Sequence, residues 1–329
     1  MCDLFSECGD DEQRHGATVG EDGRVGGDRR WAGRASTGIV PAPLLVLAGV
    51  ASVQNGAAIA IKLFPKVGPG GMVFLRLALS AVLLLAVARP RIGSHSAAEL
   101  RLVVAFGLVL AAMNASFYQA LSRIPLGIAV TIEFIGPLGL AVLGSRRKLD
   151  LVWVLLAALG VVLLTSGGGH IDGVGVMFAA LAGCLWAGYI LLSQRVGAVF
   201  PGAQGLALAL IVGAIALAPY GIADGRSALV DPTVFWRGCA VALLSSAVPY
   251  SLELYALRRM RASVFGVLMS LEPAFGALAG LMFLSQHLRM REWLAIVLVM
   301  VASVGATRGA RRADLPVEPG ATPTEVVPV

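Results

Sequence analysis

The length of its apolar runs constrains this chain more than any other feature. Mostly apolar stretches of about 20 residues recur at 41–61, 71–88, 102–121, 126–144, 151–167, 174–193, 203–220, 237–257, 263–284 and 290–307. Each is long enough to cross roughly 30 Å of hydrocarbon as a helix. Lipid offers backbone N–H and C=O groups no partner, and only a helix satisfies them within one segment. A membrane β-barrel would show alternating segments of about ten residues, whereas these runs are continuous. Only 14% of the 329 residues are charged, against about 25% in ordinary soluble domains, so water has little surface to wet. The expected fold is an all-α polytopic membrane protein with ten transmembrane helices.

The ends differ from the middle. Residues 1–40 are polar and rich in Gly and charge, without the apolar h-region of a signal peptide. Residues 308–329 finish in a Pro-rich stretch without helical periodicity. Both read as disordered cytoplasmic tails.

Basic residues set the orientation, because Lys and Arg gather in short cytoplasmic loops. Arg89, Arg91 and Arg101, then Arg146, Arg147 and Lys148, then Arg258, Arg259 and Arg261 fall on the same side as the tails. Lys62, Lys66, Arg123, Arg226 and Arg289 are scattered over the other side. Both termini are therefore expected inside. The net charge of +6 is then a topology signal that meets anionic lipid, and it needs no nucleic-acid partner.

An internal repeat follows. ALSRIPLGIAVTIEFIGP at 120–137 and ALRRMRASVFGVLMSLEP at 256–273 align at an offset of 136, which pairs Ala120 with Ala256, Arg123 with Arg259 and Pro137 with Pro273. Each block joins two spans through a short basic turn. The halves, 41–167 and 174–307, hold five spans each. Five is odd, so the second half enters from the opposite face. Two inverted five-helix repeats are the plan of secondary transporters, whose site lies near the midplane between the repeats.

Charged and polar residues inside the spans are the candidate site. Glu133 and Glu272 sit near the middle of spans 4 and 9. An ionised carboxylate there costs roughly 2.5–3.5 kcal/mol on insertion scales, unless a proton, a partner or water removes the cost. A group that loads and unloads a proton suits proton coupling; a permanently neutral carboxyl bonding a neighbouring helix is the bland reading. Pro137, Pro249 and Pro273 each remove one backbone hydrogen bond, and the freed carbonyls can line a cavity or simply accompany a kink. Glu133 precedes Pro137 by about one turn, so carboxylate and freed carbonyl are placed to share a face. Gln54 and Asn55 interrupt span 1. Asn114 and Tyr118 share a face of span 3, and Tyr250 and Glu253 follow Pro249. Arg76 is placed either to hold a substrate carboxylate or to snorkel to the interface. Asn114 and Gln54 also fit as glue between helices, and Tyr250 and Glu253 as residues near an interface.

Small-residue runs, AALAGCLWAG at 179–188 and GALAGLMF at 276–283, read as close-packing faces. Cys2, Cys8, Cys184 and Cys239 show no CxxC or metal spacing, and no His lies mid-span. No Walker, GxSxG or HExxH motif occurs. No cofactor, metal site or catalytic centre is expected, and energy for pumping must come from a gradient. A lipid-modifying enzyme would need a nucleophile–base pair or a metal cluster at depth; a mere scaffold would not need carboxylates mid-span.

SVQNGAAIAIKLFP (52–65), LRLALS (75–80), PLGIAVTIEFIGPL (125–138), SRRKLDLVWVLLAALG (145–160), CLWAGYILLSQR (184–195), SSAVPYSLELYALRRM (245–260) and FGVLMSLEPA (265–274) resemble, in order, the EamA-type drug/metabolite transporters of bacterial inner membranes. The resemblance covers about residues 41–308. It implies ten spans in two EamA-type repeats, cytoplasmic termini and efflux of small metabolites such as threonine and homoserine. Other cargoes of that superfamily, including drugs and nucleosides, are the alternative, and monomer and homodimer are both open. Where many members carry a Gly-Glu pair after span 9, this chain has Leu284, Ser285 and Gln286.

Overall fold

The computed structural model describes residues 40–88, 95–143, 148–165, 171–257, 259–260 and 262–313. Nearly all of the two expected tails, and the side chain of Tyr250, lie outside the described residues. No strand occurs among the described residues, and helices cover every apolar run. They are α1 (Ala42–Ala88), α2 (Ala97–Leu121), α3 (Leu126–Glu133), α4 (Ile135–Leu143), α5 (Lys148–Thr165), α6 (Gly173–Val199), α7 (Gln204–Gly225), α8 (Pro232–Ala242), α9 (Val248–Leu257), α10 (Ala262–Met269), α11 (Glu272–Leu284) and α12 (Met290–Ala313). A 3₁₀ turn at Arg226–Val230 follows α7, and a π turn at Leu243–Ala247 joins α8 to α9. Ala42–Ala88, Ala97–Leu121, Gly173–Val199, Gln204–Val230 and Val264–Leu284 are long and apolar enough to cross a membrane. Exposed Leu, Val, Ile, Met and Phe stud the outer faces, as lipid requires.

Spans 1 and 2 of the sequence form one helical run, α1, interrupted only at Gly68 (φ 69, ψ 163). A straight helix of 47 residues would be about 70 Å long. Instead the chain doubles back. Ser52 donates to the Leu244 carbonyl (2.8 Å), and Ser80 pairs with Ser246 (2.9 Å). Residues 28 apart in sequence therefore reach the same turn of the π segment, and the two halves of α1 lie side by side. Gly68 can take the positive φ without strain. Pro69 then starts the second half where its missing N–H costs nothing, and Asp224 accepts from the Gly70 N–H at 2.7 Å.

Other starts and stops are equally local. Ser96 and Glu99 form a capping box on α2. Asp172 caps α6, and Asp231 caps α8, whose first residue is Pro232. α12 continues past the expected end at residue 307 to Ala313. Near that end the exposed Arg308 is a cation suited to the negative end of a helix.

The helix ends sort into two groups. At one end, Gln119 donates to the Tyr220 hydroxyl, Arg123 meets Asp172 at 3.3 Å, and the Leu126 N–H donates to Gln286 Oε1 at 3.0 Å. These bonds tie α2 to α7, the α2–α3 turn to the start of α6, and α3 to the segment after α11. At the opposite end, the His95 ring lies 4.2 Å from that of Phe200.

Candidate functional site

Two helices break where the sequence placed its mid-span carboxylates. α3 ends at Glu133 and α4 begins at Ile135; α10 ends at Met269 and α11 begins at Glu272. The break residues Phe134 and Ser270 obey the same 136-residue offset as Pro137 and Pro273. Each proline lacks an N–H, so the carbonyl four residues earlier has no helical partner. Near each break a hydroxyl bonds back to its own helix: Thr131 to the Gly127 carbonyl (2.6 Å) and Ser270 to the Gly266 carbonyl (3.0 Å).

The breaks border a cavity of 290 Å³ lined by α1, α2, α3, α6, α7, the π turn, α9, α10 and α11, toward the small end of ligand sites. From the sequence-derived candidates it gathers Gln54, Arg76, Asn114, Glu133, Pro249, Glu253 and Glu272. The wall runs toward Val50, Leu210, Glu253 and Phe265, at most two turns from the end where α6 passes to α7 and α9 to α10. It includes none of the residues that tie the opposite end together.

The charges are uneven: three carboxylates, from α3, α9 and α11, face one cation, Arg76, in the second half of α1. Arg76 makes no ion pair among the described residues; its guanidinium lies 5.6 Å from the Tyr118 ring, within cation–π reach. Gln54 Nε2 donates to Glu272 Oε1 at 3.3 Å, both side chains being buried. Glu272 Oε2 and Gln54 Oε1 have no partner among the described residues. Asn114 spends one N–H on the Leu110 carbonyl of its own helix (2.8 Å).

Four candidates are not in the wall. Tyr118 is fully buried behind Arg76, with its hydroxyl unpartnered among the described residues. Asn55 is half-buried, Pro137 is half-buried and Pro273 is buried. The carbonyl that Pro137 frees, that of Glu133, turns toward α6: a Cβ built on Gly183 would sit 2.6 Å from this oxygen. So the carboxylate lines the cavity while the freed carbonyl packs against a glycine of the neighbouring helix. Sequence reasoning missed Ser80, Ser245, Ser246, Trp186 and Tyr189, all in the wall. The serines had a signal, two hydroxyl residues shortly before a mid-span Pro249, while Trp186 and Tyr189 look like the aromatic residues of any span.

Apolar helices around an internal chamber of mixed charge define a multi-pass membrane transport protein. Residues 173–308 match the EamA-like transporter family. The threonine/homoserine exporter RhtA of Salmonella typhimurium is 43% identical over 274 residues, 82% of this chain and 92% of that protein. The exporter of the same name from Escherichia coli K12 is 42% identical over the same shares. The uncharacterized transporter YwfM of Bacillus subtilis is 26% identical over 64% of this chain and 74% of its own length. A crystal structure with 19% identity aligns at a TM-score of 0.57, covering 83% of this chain and 99% of that one, and so shares the fold. The chain belongs to the EamA-like transporter family.

Proposed function

We propose that this protein is a secondary active exporter of threonine, homoserine or closely related amino acids, working by alternating access and coupled to protons. The observation that carries the reading is the chamber whose wall holds Arg76 together with Glu133, Glu253 and Glu272. A zwitterion needs a cation for its carboxylate and an anion for its ammonium, and both are supplied without a soluble domain. The 42–43% identity to proteins named threonine/homoserine exporters narrows the cargo.

The inverted repeat is part of the proposal. The helix breaks recur at an offset of 136, and the two broken helices meet, with Gly127 of α3 packed on Ala277 of α11. The last helices of the two halves also pair, with Gly160 of α5 against Val299 of α12. The membrane is then the bacterial inner membrane, with both termini in the cytoplasm and the chamber opening toward the cytoplasm. Transport in the other half of the cycle would release the bonds from Gln119, Arg123 and Gln286.

Proteoliposomes loaded with threonine provide the test. An inward proton gradient is expected to accelerate threonine efflux several-fold, and Glu133→Gln or Glu272→Gln to abolish that acceleration. Full acceleration in both variants would remove these carboxylates from the mechanism. Cells overproducing the protein should outgrow controls in excess threonine or homoserine; resistance only to drugs or nucleosides would reassign the cargo.

A further inference from the structure

Two unpartnered buried oxygens belong to groups that are already joined. Gln54, on the first half of α1, donates its N–H to Glu272 Oε1 across 218 residues of sequence. The other oxygen of the carboxyl, Glu272 Oε2, and the amide oxygen, Gln54 Oε1, are both buried and both lack a donor among the described residues. Either orphan alone is destabilising, because a buried acceptor without a donor keeps its full desolvation penalty. A proton on Glu272 Oε2 shared with Gln54 Oε1 would give both a partner. A carboxylic acid and a primary amide form a two-point ring: the amide N–H donates to one carboxyl oxygen, and the acid O–H donates to the amide oxygen. The amide N–H to Glu272 Oε1 bond of such a ring is present, and the two oxygens its second bond would use are the unpartnered ones.

We propose that Gln54 is the positioning residue for the proton carried by Glu272, holding it on Oε2 in a closed acid–amide ring and keeping one bond, N–H to Oε1, when the proton leaves. α1 and α11 are thus tied by two hydrogen bonds when loaded and by one when unloaded, so the proton sets how firmly the two elements are joined. The other titratable or charged groups in the wall beside this pair are Glu253 of α9, Glu133 of α3 and Arg76 on the second half of α1. None donates a hydrogen bond to the free oxygen, so Gln54 is the group placed to discriminate the two states. The inference rests on the proton-coupled reading above.

The test uses the full chain in proteoliposomes, with proton movement and threonine efflux recorded together. Infrared difference spectra across a pH jump provide the second readout. In wild type, a hydrogen-bonded carboxylic C=O band is expected that disappears in Glu272→Gln. Gln54→Met has nearly the shape of glutamine and no amide. It should displace that band and reduce the protons moved per threonine by half or more, with less than a twofold change in the KM for threonine. Gln54→Glu combined with Glu272→Gln exchanges the acid and the amide and should restore most of the coupling. If Gln54 only packs helices, Gln54→Met will slow transport while leaving the proton ratio and the band unchanged, which overturns the inference. Wild-type efflux with no proton movement would overturn the coupling reading itself, and this inference with it.

Discussion

Gly183 shows how one missing methyl group shapes the site. A Cβ there would stand 2.6 Å from the Glu133 carbonyl oxygen, and one on Gly136 would collide with the Gly183 carbonyl. Alanine would gain about 1 kcal/mol of helix propensity over glycine. The atom it strikes is backbone, which cannot swing aside, and overpacking costs about 1–3 kcal/mol. The clash wins. Gly183→Ala should lower the thermal midpoint of the detergent-solubilised protein and its transport rate together, as followed by thermal-shift and efflux assays; an unchanged midpoint would show that α6 yields easily. The small-residue run at 179–188 marks this face in the sequence. What the sequence concealed was which way the Glu133 carbonyl turns. A proline declares that a carbonyl is freed, but the rotation of the helix about its axis decides whether that oxygen meets a cavity or a neighbour. Glu253 is the opposite case. Its distance from the basic turn at Arg258 suited an interface as well as a cavity, and only the packing of α9 against α1 brings it into the wall.

At the scale of the element, caps and breaks govern behaviour. The Asp231 carboxylate accepts from the Thr233 N–H at 2.7 Å and the Val234 N–H at 3.3 Å, and these backbone donors hold its pKa below the ordinary aspartate value. A carboxyl depressed in the folded state stabilises above its unfolded pKa, about 3.9. That stabilisation is lost as pH falls through the lower folded value. Asp231→Ala should therefore melt below wild type at neutral pH, and the gap should close under acid conditions below about pH 4. Thermal denaturation at several pH values measures this, and a gap independent of pH would mean that the ionised cap contributes nothing. Helix positions were legible because apolar length and lipid leave little freedom. The splits between α3 and α4 and between α10 and α11, the π turn before Pro249, and the joining of two runs at Gly68 were not. Hydropathy averages over a window longer than any of these features.

Across the whole molecule, the helix ends separate into two sets. Ser122 and Ser285 are exposed in the set containing Arg123, while Ala198 is exposed near Phe200 in the other. With the native cysteines replaced by serine, Ser122→Cys and Ser285→Cys should react in intact cells with a membrane-impermeant maleimide. Ala198→Cys should react only after permeabilisation. The reverse pattern would invert the proposed topology while leaving the fold as described. The proposed repeat rests on matching prolines and helix breaks at one offset, and helix breakers are rare enough in spans for such spacing to register. The bond between Gln54 and Glu272 was not visible in the sequence, because nothing in a linear sequence brings positions 218 residues apart into register.

The turn at Gly68 carries a practical consequence. Lys62 and Lys66 are exposed beside it, yet both are helical, and only Gly68 leaves the helical conformation between Ala42 and Ala88. Trypsin must draw several residues into an extended strand across its cleft, and a reversal this abrupt gives it no slack to pull. Sealed vesicles digested from that face should release no peptide ending at either lysine until detergent or heat has unwound the hairpin.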